Sequence, residues 1–471
     1  MDANAPNTSL VAAPSPTIGE RPRGRGEWVE GWGRLGRVAT ELRSEDLGAV
    51  AASAHLTRGL GRSYGDSAIP AVGDALVAGS VLADRILAFD ESTGVLRAEA
   101  GLSLAEINRL FMPRGFFTPV TPGTKFVTLG GMVASDVHGK NHHVALTFGE
   151  HVEELVLRVA DGRVLACSPT QHADLFDATI GGMGLTGHIL EVSFRMERIP
   201  SPWIFQHSMR VPNIDAYIDA LKDSAARWPM TVGWIDCVSR GNNLGRGILM
   251  CGRWATADEA PRHAPPPKRR ITMPDIVPSW ALNKLSVRAF NELYYWKHVA
   301  KEKTGIVHPE SFFYPLDAIH AWNRMYGRRG FTQYQCVLPT EAGRGAARRF
   351  LELLTSLGGA SFLCVIKDCG AQGRGLLSFP MPGISIALDI PIRDNIQTIV
   401  DRLNELVIAE GGRIYLTKDT FTRPEHFAAM EGRLGRFNEV RRRWDPDGLL
   451  RSAQSVRLLD SHPPALTQEI P

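Results

Sequence analysis

The sequence predicts an α+β protein of two domains, the second an antiparallel sheet covered by helices on one face. Three observations carry this. A chain of 471 residues with 44% hydrophobic content is long enough for more than one core. Its first 200 residues hold three glycine-rich loops between short apolar segments. After Ile199-Pro200-Ser201-Pro202, strands and helices come in runs instead of strict alternation, the pattern of an α+β layer.

Residues 1–24 are rich in Pro, Ala and Ser and lack a basic start followed by an apolar stretch, so they predict a disordered tail and no signal peptide. The first domain is expected over 25–200. Residues 45–55 predict a short helix, and 75–78, 86–89 and 95–100 predict strands. Residues 104–112 place Leu104, Ile107, Leu110 and Phe111 on one face of an amphipathic helix.

The second domain is expected over 201–412, with strands at 205–211, 232–238 and 247–251 and a helix at 214–226. Residues 255–278 are Pro-rich around Lys268-Arg269-Arg270 and predict a mobile loop. In 280–296, Leu282, Leu285, Phe290, Leu293 and Trp296 stand among Lys284, Arg288 and Lys297. That is a helix packing on its own domain, or a greasy basic lip that touches a membrane surface. From Gln333 the expected order is strand, helix 341–357, strand 361–367, strand pair 376–392, helix 395–410 and strand 412–417. The chain then returns to the first domain over 413–471, through 427–443 and the Asp445-Pro446 stop.

The first glycine loop is Thr57-Arg58-Gly59-Leu60-Gly61-Arg62-Ser63-Tyr64-Gly65-Asp66-Ser67. Glycines let consecutive N–H groups approach a phosphate, and arginine adds charge-assisted hydrogen bonds. A surface turn is the plain alternative. The glycine spacing does not fit a dinucleotide fingerprint opening a helix, and no Gly-Lys-Ser/Thr follows. The second loop holds Gly123-Thr124 and Thr128-Leu129-Gly130-Gly131, then Ser135-Asp136-Val137-His138-Gly139-Lys140-Asn141-His142-His143. His138, His142 and His143 have the residue type for zinc, but Gly139 and the lack of an acidic or thiol ligand at standard spacing argue against a metal. The third loop, 181–187, runs into a strand containing Ile189. Three such loops point to one extended, phosphate-bearing cofactor.

A net charge of +3 gives no reason to expect nucleic acid as a partner. The six cysteines, with no CxxC pair, read as free thiols. No run of about 18 apolar residues is present, so no transmembrane helix is expected.

These strings, together with Gln333-Tyr334-Gln335, Tyr415-Leu416-Thr417-Lys418-Asp419 and Trp444-Asp445-Pro446-Asp447-Gly448, resemble the vanillyl-alcohol-oxidase (PCMH-type) superfamily of FAD flavoproteins. Within it the chain resembles the branch that oxidises polyprenylphosphoryl pentoses. The resemblance runs from about residue 32 to 459. It implies a PCMH-type FAD-binding fold, with FAD held by residues 57–67, Gly123, Thr124, 128–131, 135–139, Ile189 and Tyr415. Many members join the flavin covalently to a histidine where this chain has Arg62, which implies noncovalent FAD.

The resemblance further implies catalysis by Lys418, with His138 and Tyr415 beside the flavin. Gln333, Gln335, Lys367, Ser385 and Lys140 are the implied substrate contacts. The implied substrate is a polyprenylphosphoryl pentose, and the implied partner is an NAD(P)H-dependent keto-sugar reductase. The implied location is peripheral, at the inner membrane of the cell envelope, with either face open. Ala387 stands where some members carry a cysteine, Ser385 where asparagine is usual and Phe313 where tyrosine is usual. A sugar or aldonolactone oxidase of the same superfamily, or a flavin-binding scaffold subunit, are the alternatives.

Overall fold

The structure, a computed structural model, describes residues 27–460 apart from 74, 267, 269, 276–282 and 360. The tail expected over 1–24 lies outside the described residues, as do 280–282 of the expected 280–296 helix.

The first part of the chain builds two sheets. One has four strands in the order Glu27–Glu30, Gly36–Arg43, Leu76–Gly79, Thr57–Arg58, so the first glycine loop leaves directly from a sheet edge. The other runs Ile86–Asp90, Val95–Glu99, His188–Arg195, Val152–Arg158, Val164–Cys167. The helix Leu104–Phe111 buries Leu104, Ile107 and Phe111, and the Ser103 side chain accepts from Glu106 N–H at its start, satisfying one free donor. These residues share a core with Phe148, Val192 and Phe194.

The second part is an eight-stranded antiparallel sheet. Its order is Glu302–Val307, Ile204–Val211, Gly247–Trp254, Met230–Ile235, Cys364–Cys369, Gly383–Pro391, Phe331–Pro339, Arg413–Ile414. The helices Ile214–Ala225, Ala346–Ser356 and Ile396–Ala409 bury Tyr217, Phe350 and Leu403 with Tyr334, Cys336, Ile366 and Ile386 in one core. At Gly233 a Cβ would lie 1.7 Å from Tyr217 Oη, so only glycine admits the helix there. Because strand side chains alternate, Gln333, Gln335, Lys367, Ser385 and Ala387 all face away from these helices. Register aligns them: Gln335 opposes Ala387, Lys367 opposes Ser385, and Gln333 opposes Asp389.

Several elements differ from expectation. The strand pair expected over 376–392 is one strand, Gly383–Pro391. Pro380 and Pro382 lack the N–H that a ladder needs. The preceding segment is spent on the first domain instead, with Leu376 N–H on Asp177 O and Ser378 Oγ–H on Asp136. The strand expected over 412–417 is only Arg413–Ile414; residues 415–418 form a turn closed by Lys418 N–H to Tyr415 O at 2.9 Å. Because Arg413–Ile414 still pairs with the large sheet, the chain leaves that sheet after Ile414. The helix expected over 45–55 is the single turn and a half Leu47–Ala51. Within the loop expected over 255–278, Ile271–Thr272 pairs in parallel with Ile319–His320. Among the described residues no helix is long and apolar enough to cross a membrane.

Candidate active site

The three glycine loops meet. At Gly59 a Cβ would sit 2.3 Å from Thr128 Oγ1, so the first loop touches the start of the helix Leu129–Ala134 only because residue 59 has no side chain. Gly181 N–H donates to Val133 O at 3.0 Å and Met183 N–H to Ala134 O at 2.9 Å, which brings in the third loop. The C-terminal segment closes the ring: Tyr415 Oη–H donates to Ser135 O at 2.8 Å, and Tyr64 N–H to Thr417 O at 2.9 Å.

Residues in the first loop have different tasks. Arg58, expected on a phosphate, turns inward: its guanidinium donates to Ala68 O at 3.0 Å and Glu30 O at 2.6 Å, bracing the loop. Its side chain is thus a scaffold, and any ligand contact at 58 falls to the backbone. Thr57 Oγ1 is taken by His188 at 2.6 Å. The Asp66 carboxylate is taken by Arg457, at 3.0 and 2.8 Å, and Arg457 also reaches Asp419 at 2.8 Å. Arg62 differs. Its guanidinium lies over Trp32, 3.9 Å from the ring centre, and its buried Nε has no hydrogen-bond partner. A buried arginine donor without an acceptor is costly, and it fits an anionic group.

Gly61 is left-handed at φ +63°, as the cradle requires, and nothing lies within 4 Å of a Cβ built on Gly123 or Gly184. Leu60 is exposed, while Leu129, Val137 and Ile189 are buried core. Thr124 Oγ1 donates to Asp317 at 2.7 Å, and Thr128 Oγ1 accepts from Gly131 N–H. Asp136 accepts from Gly149 N–H at 2.9 Å and from Ser378; burial pushes its carboxyl up to about 6. It ties the two domains. The donor set fits an extended, phosphate-bearing dinucleotide.

Beside His138 and Tyr415 the large sheet contributes its alternate residues. His138 lies 3.4 Å through Nδ1 from Lys367 Nζ and 3.0 Å through Nε2 from the Gln335 amide, which in turn is 3.2 Å from Ser385 Oγ. The amide nitrogen of Gln335 can only donate, so His138 Nε2 and Ser385 Oγ both accept from it, and the Nδ1 side of the ring faces Lys367 Nζ. Burial and then the Lys367 charge hold His138 well below its ordinary value, so it is neutral. Its ring is packed by Tyr415 and Phe379, at 5.3 and 5.5 Å between centres.

Three lysines converge on this cleft. Burial lowers Lys140 and Lys418 to about 7 and Lys367 to about 8. Lys140 Nζ donates to the Phe313 carbonyl at 3.0 Å. The Phe313 ring itself stacks on Phe117 and packs by Trp254, so it is the main chain of residue 313 that reaches this lysine. Lys418 Nζ sits 3.7 Å over the centre of the Tyr64 ring.

Two residues at the cleft escape sequence reasoning. Asp389, fully buried, accepts from Gln333 at 2.6 Å and Tyr326 Oη–H at 2.8 Å, and burial raises it to about 7. Its charge favours the Lys418 ammonium. The available signal is parity: Asp389 stands at the same alternate positions as Ser385 and Ala387, an acid in an otherwise apolar strand. Tyr326 carries no signal. Gln333 is thereby turned to Asp389, and its contact with a substrate would be through what remains of its amide.

Residues 47–168 match the FAD binding domain family, so the fold and loops define an FAD-binding flavoprotein. Over 447 residues, 91% of this chain and 96% of the relative, the sequence is 36% identical to decaprenylphosphoryl-beta-D-ribose oxidase of Mycolicibacterium smegmatis. The chain belongs to the decaprenylphosphoryl-β-D-ribose oxidase family of FAD-dependent oxidoreductases. It is also 30% identical over 377 residues, 76% of this chain and all of the relative, to an uncharacterised Streptomyces coelicolor protein from the mprA 5′ region. L-Gulonolactone oxidase of Mus musculus is 32% identical over 114 residues, 24% of this chain and 25% of that enzyme.

Proposed function

We propose that this protein oxidises the 2′-hydroxyl of a polyprenylphosphoryl-β-D-ribose to the 2′-keto sugar. This is the first half of an epimerisation that yields the arabinose donor for cell-envelope polysaccharide. An NAD(P)H-dependent keto-sugar reductase is the second enzyme, and a lipid-linked substrate puts the work at a membrane surface of the envelope. Bound noncovalently, FAD supplies the acceptor for the hydride.

Lys418 takes the hydroxyl proton at Nζ. A lysine lowered to about 7 is neutral often enough near neutral pH to act as a base. Tyr64 fixes its height, and Asp389 limits how far its basicity falls. Gln335, Ser385 and His138 form one hydrogen-bonded set suited to sugar hydroxyls. Lys140 and Lys367, whose ammonium groups meet a carbonyl and an imidazole, suit the phosphodiester. Arg62 and the backbone of 59–65 would hold the pyrophosphate of FAD, and Tyr415 and His138 would stand at its ring.

The observation that carries this reading is the pairing of a neutralisable lysine over Tyr64 with a patch of hydroxyl-binding groups one strand away. The lactone oxidase match covers only 24% of the chain and gives no support for a soluble substrate. Anaerobic addition of prenylphosphoryl ribose to the yellow holoprotein should bleach the flavin absorbance. No bleaching, with bleaching by a prenyl-free polyol instead, would overturn the assignment.

A further inference from the structure

The helix Lys284–Trp296 presents two opposite rows. The inward row is Val287, Asn291 and Tyr295: Asn291 Nδ2 donates to Asp236 at 2.8 Å, and Tyr295 packs with Trp234 and Ile248 of the large sheet. This satisfies the helix as a member of its own domain. On the other side, Leu285, Leu293 and Trp296 are 78%, 74% and 57% exposed, and Val299 just beyond is 86% exposed. Spacing of 8 and 11 residues from Leu285 puts Leu293 and Trp296 on one stripe. Trp296 is held by Arg210, 4.8 Å over its ring, and by its Nε1–H on Glu292 at 3.2 Å; a stripe of large apolar side chains left this exposed marks an interaction surface.

Its setting favours one occupant. Exposed Arg288, Lys297, Lys301 and Lys303 border the stripe, and the neighbouring Glu292 is taken by Arg246. That leaves Glu302 as the exposed acid of this border. Apolar side chains flanked by cations fit the boundary of an anionic bilayer, where the first enter the acyl region and the second meet headgroups.

The helix also covers the cleft side of the sheet. It packs on Trp234, which opposes Val365, two residues before Lys367. From the helix inward, rings follow one another: Phe290 to Phe362 at 5.6 Å, Phe362 to Tyr326 at 5.8 Å, Tyr326 to Phe331 at 4.0 Å and Phe331 to Tyr64 at 5.4 Å. The last lies under Lys418.

We infer that the outer face of residues 285–299 seats the protein on an anionic lipid surface, with the cleft beside it. The inference deepens the proposed function and rests on its lipid-linked substrate. The test is flotation of the holoprotein with vesicles of phosphatidylglycerol and phosphatidylcholine, against phosphatidylcholine alone. Wild type should float with the anionic vesicles. Leu293→Glu/Trp296→Glu should bind at least about tenfold more weakly, as expected for removing two large apolar side chains from the interface. Lys297→Glu/Lys301→Glu should lose the salt-sensitive part of binding.

Unchanged flavin absorbance and Tm certify the fold of each variant, since all four positions are exposed. Failure of wild type to float, or equal flotation of the apolar variant, would overturn the inference. Sedimentation without lipid supplies the other outcome: a dimer dissolved by the same substitutions would give this face to a second copy. Bleaching by a short-chain, water-soluble prenylphosphoryl ribose should be the same in both variants as in wild type. Its absence in wild type would sink the function and leave the flotation result standing by itself.

Discussion

Lys418 Nζ lies 3.7 Å above the centre of the Tyr64 ring, while the N–H of Tyr64 binds the carbonyl of Thr417 at 2.9 Å. A residue from the first glycine loop therefore fixes both the main chain and the side chain of the turn that carries the proposed base. The ring face attracts the cation, and its apolar surroundings disfavour charge on it. Replacing Lys418 with alanine should leave FAD bound and the protein yellow. Substrate-driven bleaching in a stopped-flow instrument should slow by at least about 100-fold, the lower range for loss of a general base.

The pH dependence follows from the same lysine. Only the neutral amine accepts a proton, so flavin reduction should rise with pH through about 7 and level off above. Asp389 favours the charged lysine, and Asp389→Asn should move the inflection to lower pH. Stability runs in the same direction above neutrality. Lys418 is held at about 7 against an ordinary value of 10.5, so between those values the unfolded chain binds more protons and stability rises with pH. Urea midpoints of wild type and Lys418→Met across pH 7–10 would measure the slope, of which the variant should lose the share of Lys418 while Lys140 and Lys367 keep theirs.

Gly65 carries the docking of that turn. A Cβ there would meet the Asp419 carbonyl oxygen at 1.7 Å, and main chain cannot step aside as a flexible side chain can. Gly65→Ala should cost about 1–3 kcal/mol, the range for overpacking. It should also depress bleaching while the flavin stays bound, because Lys418 shifts with its turn. Gly432→Ala, with nothing within 4 Å of the new Cβ, is the control and should behave as wild type in denaturation and turnover.

The sequence is most legible where periodicity or a local string carries the information. Leu104–Phe111, Ile214–Ala225 and Ile396–Ala409 follow apolar spacing closely, and the glycine loops announce a ligand by residue type. The site is legible only through resemblance, because Lys418, Lys367 and Gln335 owe their meeting to pairings between distant strands. Asp389 escapes for that reason: its opposite residue, Gln333, is set by register. Arg58 misleads, since residue type favours a phosphate while Ala68 and Glu30 carbonyls, close in the fold, take the guanidinium first. At 376–382 apolar content suggests a strand, but the prolines remove ladder donors and Asp136 offers Ser378 a partner.

Arg62 makes a distinct prediction about the cofactor. The resemblance sets it where many members carry the histidine joined to the flavin, and its buried Nε has no protein partner. Acid precipitation should release all the yellow colour into the supernatant, and colour in the pellet would contradict noncovalent FAD. Arg62→Ala should weaken FAD retention on dialysis by about 10-fold or more, the loss expected for a charge-assisted hydrogen bond to a phosphate. The denaturation midpoint should then rise with added FAD, since ligand binding to the folded state stabilises it by mass action.

Ala387 decides how the cleft responds to thiol chemistry. It faces the cleft side of its strand, between Gln335 and Val365 in register, whereas the protein's own six cysteines are all buried. Burial also raises the thiols of Cys167, Cys251, Cys336, Cys364 and Cys369, which keeps them as unreactive neutral groups. Thiol-directed covalent inhibitors that enter the cleft should therefore leave the intact mass of the folded holoprotein unchanged. Ala387→Cys should gain one adduct, at a rate that falls when substrate is present. An adduct on the wild-type protein under the same conditions would mean that one of the buried thiols is reached, and that the cleft side of this strand is not what limits attachment.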